Sequence, residues 1–281
     1  MQVFLNGKFL PEAEAVVPLN DRGFLLGDGL FETMRVTGGK AFRFHQHLER
    51  LTRGAYFLKI TLPFTPKELE KFARQLADAN KMPEAILRLT LTRGPGARGY
   101  SSKSSGTPTL AMTLHPLPPQ NVDEPVQWSM ITSALRIPAS DALASFKTTS
   151  KILNVLARAE AENKGADEAL LLNTNGEVAE TASGNLFWIY QDKICTVPTG
   201  RGVLPGITRA VVLEICQSLG LATNKCVIKP EQLRRAEGIF VTQSALGIIP
   251  VVSLDGLPVA PSPLVDQIAS AYAEMLTQES A

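Results

Sequence analysis

The sequence predicts an α+β fold divided into two domains, on three observations. Candidate strands are mostly joined by hairpin turns, at Asn6-Gly7, Asn175-Gly176 and Asp255-Gly256, whose residue types supply the positive-φ pair that a tight turn requires. Candidate helices are interspersed irregularly, which favours α+β over a doubly wound parallel sheet. Pro116 to Pro125 holds four prolines and little to bury, so it reads as the break between domains. The expected division is 1–118, a linker at 119–125, and 126–281, each domain long enough to bury its own core.

The elements follow in order. Val3 to Leu10 forms a hairpin turning at Asn6-Gly7. Phe31 to Val36 and Ala41 to Phe44 form a second one around Thr37-Gly38-Gly39-Lys40. A helix from His45 to Leu58 puts Leu48, Leu51 and Ala55 on one face. Thr65-Pro66-Lys67-Glu68 is a capping box with proline in the first helical position, opening a helix to Asn80. Ala85 to Thr92 and Thr109 to Leu114 make a strand pair around a glycine-rich excursion. Beyond the prolines come a strand at Val126 to Ser133 and a helix from Ser150 to Asn163. A hairpin at Asn175-Gly176 precedes strands at Asn185 to Tyr190 and Ile194 to Val197. A helix at Ile207 to Leu219, a strand at Gly238 to Thr242, a hairpin at Asp255-Gly256 and a helix at Pro263 to Leu276 complete the order.

Composition narrows the class of function. Hydrophobic residues make up 44% and charged residues 20%, with a net charge of +1; scattered basic residues leave no footprint for nucleic acid or an anionic membrane. No apolar run reaches the roughly 20 residues of a membrane helix. The first residues show no basic leader or cleavage site, which gives the expectation of a cytoplasmic protein. Cys195, Cys216 and Cys226 are widely spaced and read as small semi-buried hydrophobes. No metal site is expected from them or from His45, His47 and His115, and His45 and His47 would diverge on a helix.

Four stretches could carry chemistry. Lys147 lies among hydroxyl residues just before an expected helix start, where the positive end of a helix dipole would favour the free amine that a Schiff base needs. From local sequence alone a surface lysine is the simpler reading, and Lys151 competes for the role. Leu204-Pro205-Gly206-Ile207-Thr208-Arg209 puts a glycine turn and a threonine at a helix N-terminus, which suits a phosphate monoester as well as it suits an ordinary capped turn. Glu180 ends a hairpin strand, where it would pair with a protonated pyridine nitrogen or sit solvated. Arg93 to Tyr100 is a glycine-rich loop with two arginines and a tyrosine, either a carboxylate-binding loop or a hairpin tip.

Together these stretches are more specific than any is alone. Lys147, Asn154 to Ala161, Glu180, Asn185-Leu186-Phe187 and Leu204 to Arg209 occur in an order and spacing that resembles the class IV aminotransferases, the fold-type-IV enzymes dependent on pyridoxal 5′-phosphate (PLP). Asp21-Arg22-Gly23, Gly27 to Glu32 and His47-Leu48-Glu49-Arg50-Leu51 extend the resemblance over nearly the whole chain. It implies a smaller N-terminal α/β domain, a larger C-terminal PLP-binding domain and an obligate homodimer with the active site near the interface. By the same resemblance Lys147 is catalytic and forms the Schiff base, Glu180 keeps the pyridine nitrogen protonated, and Leu204 packs on the ring. Arg50, the Gly206, Ile207 and Thr208 turn, and Ser244 would bind the phosphate. Phe31, Arg98, Tyr100 and Ala245 would meet a small amino substrate, with Phe31 lacking the hydroxyl of relatives that have tyrosine there. Ser150 departs from the asparagine often found three residues after the lysine, which puts contacts near the cofactor in doubt.

Two reactions fit the resemblance. Arg93 to Tyr100, Ala166 to Leu170 with Asn185 to Trp188, and Thr242 to Pro250 resemble 4-amino-4-deoxychorismate lyase, which eliminates pyruvate to leave 4-aminobenzoate in folate synthesis. Gln243 and Ala245 depart from the lyase pattern. The alternative is transamination of D- or branched-chain amino acids with a 2-oxo acid acceptor.

Overall fold

The computed structural model describes residues 1–118 and 125–280, so residues 119–124 of the expected linker lie outside the described residues. The chain divides into two compact units. One comprises Met1–Leu117, Phe146–Ser150 and Leu276–Ala281, the other Pro118–Ser145 and Lys151–Met275. The segment that carries Lys147 therefore groups with the N-terminal unit, although it follows the proline-rich stretch in sequence.

The first unit is built on a six-stranded antiparallel sheet of β1 (Gln2–Leu5), β2 (Lys8–Pro11), β3 (Gly29–Thr37), β4 (Lys40–Ala41), β5 (Ala85–Thr92) and β6 (Thr109–His115), in the order β2-β1-β6-β5-β3-β4. Asn6 and Gly7 both take positive φ, 49° and 90°, as their hairpin requires. Short helix α1 (Arg22–Leu26) precedes β3, and α2 (Phe44–Leu58) and α3 (Pro66–Asn80) follow the β3–β4 hairpin. The capping box that opens α3 is present in full: Glu68 N–H donates to the Thr65 hydroxyl, and Thr65 N–H donates to the Glu68 carboxylate at 2.8 Å. Leu48, Leu51 and Ala55 face a core shared with Leu30, Met34, Leu87 and Leu89. His45 and His47 diverge as their spacing on α2 dictates, His47 buried and His45 exposed.

The second unit carries a nine-stranded mixed sheet. Its strands are β7 (Trp128–Ile137), β8 (Glu168–Asn173), β9 (Val178–Thr181), β10 (Asn185–Tyr190), β11 (Lys193–Thr196), β12 (Thr223–Lys225), β13 (Gly238–Gln243), β14 (Gly247–Leu254) and β15 (Leu257–Pro258). The order is β12-β11-β10-β13-β14-β7-β8-β9, with β15 paired to β14. Strand β7 is parallel to both neighbours, β8 and β14. The connection from β7 to β8 contains α4 (Ile152–Asn163), the crossover that parallel strands need. The remaining helices are α5 (Ile207–Ser218), α6 (Pro230–Leu233) and α7 (Pro263–Ser280). Cys195 and Cys216 are buried, Cys226 half-buried, and all three are free thiols. No helix among the described residues is long and apolar enough to cross a membrane.

Candidate active site

The predicted site residues fall into two sets, one on each unit. In the first unit, Phe146 anchors the lysine segment by packing on the core, its ring 4.7 Å from that of Phe57. The segment then runs alongside β3: the Phe31 N–H donates to the Lys147 carbonyl, and the Thr149 N–H to the Gly29 carbonyl, both at 2.9 Å. The Thr149 hydroxyl donates to the Gly27 carbonyl. Lys147 is thus held by backbone pairing, and α4 starts only at Ile152. The helix expected from Ser150 starts two residues later, so a dipole effect confined to its first turn does not reach Lys147. Its Nζ instead lies 4.7 Å from the centre of the Phe31 ring.

The same ring carries the guanidinium of Arg88 at 4.0 Å. Arg88 projects from β5, is half-buried, and has no hydrogen bond or ion pair among the described residues. Burial pushes its pKa down. Next along β3, Glu32 is a carboxylate with 1% exposure, satisfied by α2. It accepts from Arg50 Nε at 2.8 Å and Nη2 at 2.5 Å, and pairs with His47 Nδ1 at 2.6 Å. Burial alone would raise its pKa, but the Arg50 charge and these hydrogen bonds bring it down to about 2. Burial pushes His47 the other way from protonation, so its pKa falls despite the carboxylate. Arg98 and Tyr100 stand exposed on the loop between β5 and β6.

In the second unit, Glu180 lies at the end of β9 and accepts from the Leu204 N–H at 3.0 Å and from Asn185 Nδ2 at 3.2 Å. Asn185 also donates to the Leu204 carbonyl. Gly206 is the N-cap of α5, and Ile207 and Thr208 form its first turn with no acidic residue among them. A Cβ at Gly206 would sit 2.0 Å from Asn185 Oδ1, so only glycine lets the turn approach that side chain. Asn185 pairs with Thr242 of β13. Ser244 and Ala245 follow in the β13–β14 turn.

The structure thus joins Lys147 with Phe31 in one set, and Glu180 with Leu204 and the Gly206 turn in the other. Sequence reasoning assigned no roles to Glu32, His47 and Arg88. Only Glu32 left a signal, a charge where strand alternation calls for an apolar residue, in phase with Leu30 and Met34, both buried; Arg88 alternates as an ordinary outward residue between Leu87 and Leu89.

Comparison with known proteins decides the family. A family model described as amino-transferase class IV matches residues 29–254. The chain belongs to the class IV aminotransferase family. Among class IV relatives, a putative branched-chain-amino-acid aminotransferase of Methanocaldococcus jannaschii is 32% identical over 91% of this chain and 88% of its own. A D-alanine aminotransferase of Bacillus licheniformis is 30% identical over 100% and 99%. Of solved structures, a T.th. branched-chain amino acid aminotransferase with pyridoxamine 5′-phosphate superposes with a TM-score of 0.93, at 28% identity over 99% and 94%. A putative 4-amino-4-deoxychorismate lyase of Legionella pneumophila gives 0.87, at 27% over 94% and 97%. The fold is therefore the fold-type-IV α+β fold, and the chain is an enzyme of this PLP-dependent class.

The residues present fit that cofactor. A phosphate monoester needs N–H donors and hydroxyls, and the α5 N-terminus offers them behind a glycine with no side-chain cap. Thr242 Oγ1, in the strand facing Asn185, is buried with no hydrogen-bond partner among the described residues. A protonated pyridine needs a carboxylate held in place, and two donors fix Glu180.

Proposed function

We propose that this class IV enzyme is a 4-amino-4-deoxychorismate lyase, releasing pyruvate and 4-aminobenzoate. The observation that carries the reading is Arg88: a half-buried guanidinium with no acidic partner among the described residues, stacked on the ring that Lys147 also touches. Such a cation calls for an anionic ligand beside the reactive amine. A substrate with one carboxylate on its ring and another on an enolpyruvyl ether meets that requirement, one carboxylate for Arg88 and one for Arg98 and Tyr100. Phe31, bare of a hydroxyl, offers such a ring an apolar face. The sequence of the Arg93 to Tyr100 loop supports the same choice.

In this reading PLP, when bound, supplies an electron sink beside the substrate nitrogen. Lys147 carries the cofactor, takes the proton from the ring carbon bearing the nitrogen, and helps protonate the departing enolpyruvate. Glu180 holds the proton on the pyridine nitrogen, with Leu204 N–H and Asn185 orienting its carboxylate. By the family resemblance Arg50, Gly206, Ile207, Thr208 and Ser244 would hold the phosphate, Leu204 would pack on the cofactor ring, and Ala245 would line the substrate side. Arg50 would do so oriented by Glu32. The enzyme would act as a cytoplasmic homodimer in folate synthesis. Exposed Ile152, Val155 and Leu156 on α4, and Phe24 and Leu25 on α1, support self-association.

Transamination is the second reading, favoured by aminotransferases that align at 30% identity or more; Arg88 would then serve an acidic amino-group acceptor. One experiment separates the two. Purified holoenzyme is given aminodeoxychorismate, and separately D-alanine or leucine with 2-oxoglutarate. Formation of 4-aminobenzoate supports the lyase; brisk transamination with no 4-aminobenzoate sinks it.

A further inference from the structure

Arg22 is buried, with 4% exposure, and among the described residues its guanidinium bonds lead to one carboxylate and one loop. Nε donates to Asp28 at 2.9 Å. Nη1 donates to the carbonyls of Gly99 at 2.9 Å and Ser101 at 3.2 Å, and Nη2 to that of Tyr100 at 3.1 Å. Three successive carbonyls on either side of Tyr100 are thus gripped by one side chain. The start of the loop is tied to the same segment: Arg22 N–H donates to the Gly94 carbonyl, and Gly96 N–H to that of Asn20. Gly96 lies on the arginine stem, where an added Cβ would meet Arg22 Cδ at 2.8 Å. Asp28 is fixed in turn by Arg93, at 2.7 and 2.9 Å, and Arg93 donates to the carbonyls of Leu58 and Lys59 at the end of α2.

Within the single chain, the described residues offer the loop little else to order it. Residues 97–100 are exposed, Tyr100 at 90%, and Gly99 takes φ 103°. A segment that buries no side chain cannot offset the entropy of a single conformation by packing. Hydrogen bonds to a buried charge can do so, and the planar fork of arginine spans several acceptors where a lysine ammonium acts as a point charge.

We infer that Arg22 is a positioning residue for substrate recognition, setting the backbone of Gly99–Ser101 and hence the directions in which Arg98 and Tyr100 present themselves. The inference rests on the reading of Arg98 and Tyr100 as carboxylate-binding residues. Its test uses the holoenzyme of Arg22→Lys, compared with wild type by limited trypsin digestion and by kinetics. Cleavage after Arg98 and Lys103 is expected to be faster. KM for aminodeoxychorismate, or for 2-oxoglutarate in a transaminase, is expected to rise about tenfold or more, with kcat and the bound-cofactor absorbance little changed. Wild-type cleavage and wild-type KM in folded Arg22→Lys would overturn the inference. Should that variant not fold, Gly96→Ala keeps Arg22 and wedges the loop off its stem. The same two changes are expected there, and their absence is equally fatal. Arg98→Gln tests the underlying reading separately. A KM that it leaves unmoved overturns the carboxylate role, and with it the recognition role of Arg22, even where trypsin still reports the clamp.

Discussion

Arg88 and Arg50 put the same cation in opposite circumstances, and each makes a prediction. Arg50 is matched by Glu32 through two hydrogen bonds, whereas Arg88 rests on an aromatic face and pairs with no acid among the described residues. A half-buried guanidinium without a carboxylate costs stability, and on the proposed reading Arg88 serves an anionic substrate. Arg88→Gln should therefore lower kcat/KM for the dicarboxylate substrate by about ten- to a hundredfold, since a hydrogen bond to a charge contributes roughly 1.5–3 kcal/mol. Its melting temperature should equal or exceed that of wild type, and steady-state kinetics with a thermal melt checks both. Glu32 behaves in the reverse sense. Its folded pKa of about 2 lies below the ordinary 4.5, so its contribution is complete above 4.5 and is lost as pH falls from there toward 2. His47, pushed down by burial, adds to the same slope: below its ordinary 6.5 the unfolded chain takes up a proton that the fold resists. Melts from pH 7 to pH 3 should show falling stability throughout. Glu32→Gln should lose about 3–5 kcal/mol at pH 7, the usual cost of stranding one partner of a buried pair, and should flatten the curve below 4.5. A variant as stable as wild type would show that the Arg50 charge is compensated elsewhere.

At the scale of elements, what local chemistry specifies was legible and what long-range pairing specifies was not. Thr65-Pro66-Lys67-Glu68 announced both a helix and its cap, because the bonds lie within four residues. Replacing Thr65 by Ala should cost about 1 kcal/mol in a denaturant melt. The Asn6-Gly7 and Asp255-Gly256 turns were readable for the same reason. The parallel partners of β7 were not, since nothing within Trp128–Ile137 names strands reached about 30 and about 110 residues later on. Nor was the setting of Lys147, whose neighbours Phe31 and Arg88 come from other strands. Glycine at 206 was visible as a turn residue, but its reason is a close approach to Asn185, with an ordinary φ of −66°. Gly206→Ala should push Asn185 away and release its hold on Glu180 and Leu204. We expect PLP affinity to fall by about tenfold, as for the loss of one hydrogen bond to a charged group, read as bound-cofactor absorbance against added PLP. An unchanged titration would mean that Asn185 does not support the cofactor through this contact.

For the whole molecule, the decisive question is what covers its exposed apolar side chains. Each unit has a core of its own, yet Ile152, Val155 and Leu156 remain 70%, 59% and 52% exposed. On α4 they occur at i, i+3 and i+4, one stripe, while Ala157 and Ala161 of the same helix are fully buried. A helix that buries its alanines and shows its large aliphatics to water is turned the wrong way for a monomer, because burying each such side chain is worth about 1.5–3 kcal/mol. The α1 helix repeats the pattern with Phe24 and Leu25, 71% and 55% exposed. On the proposed reading a second copy of the chain would cover both, and homodimers are the commonest closed assemblies. The protein should therefore run in light scattering at twice 30.4 kDa. Val155→Glu with Leu156→Glu would place two carboxylates in the covered stripe without touching either core, and should return the mass to 30.4 kDa. Since Arg98 and Tyr100 are exposed in the single chain and the family resemblance implies an active site near the dimer interface, that monomer should also lose turnover while still folding cooperatively. A wild-type protein that stays monomeric at assay concentration, with full activity, would refute both statements.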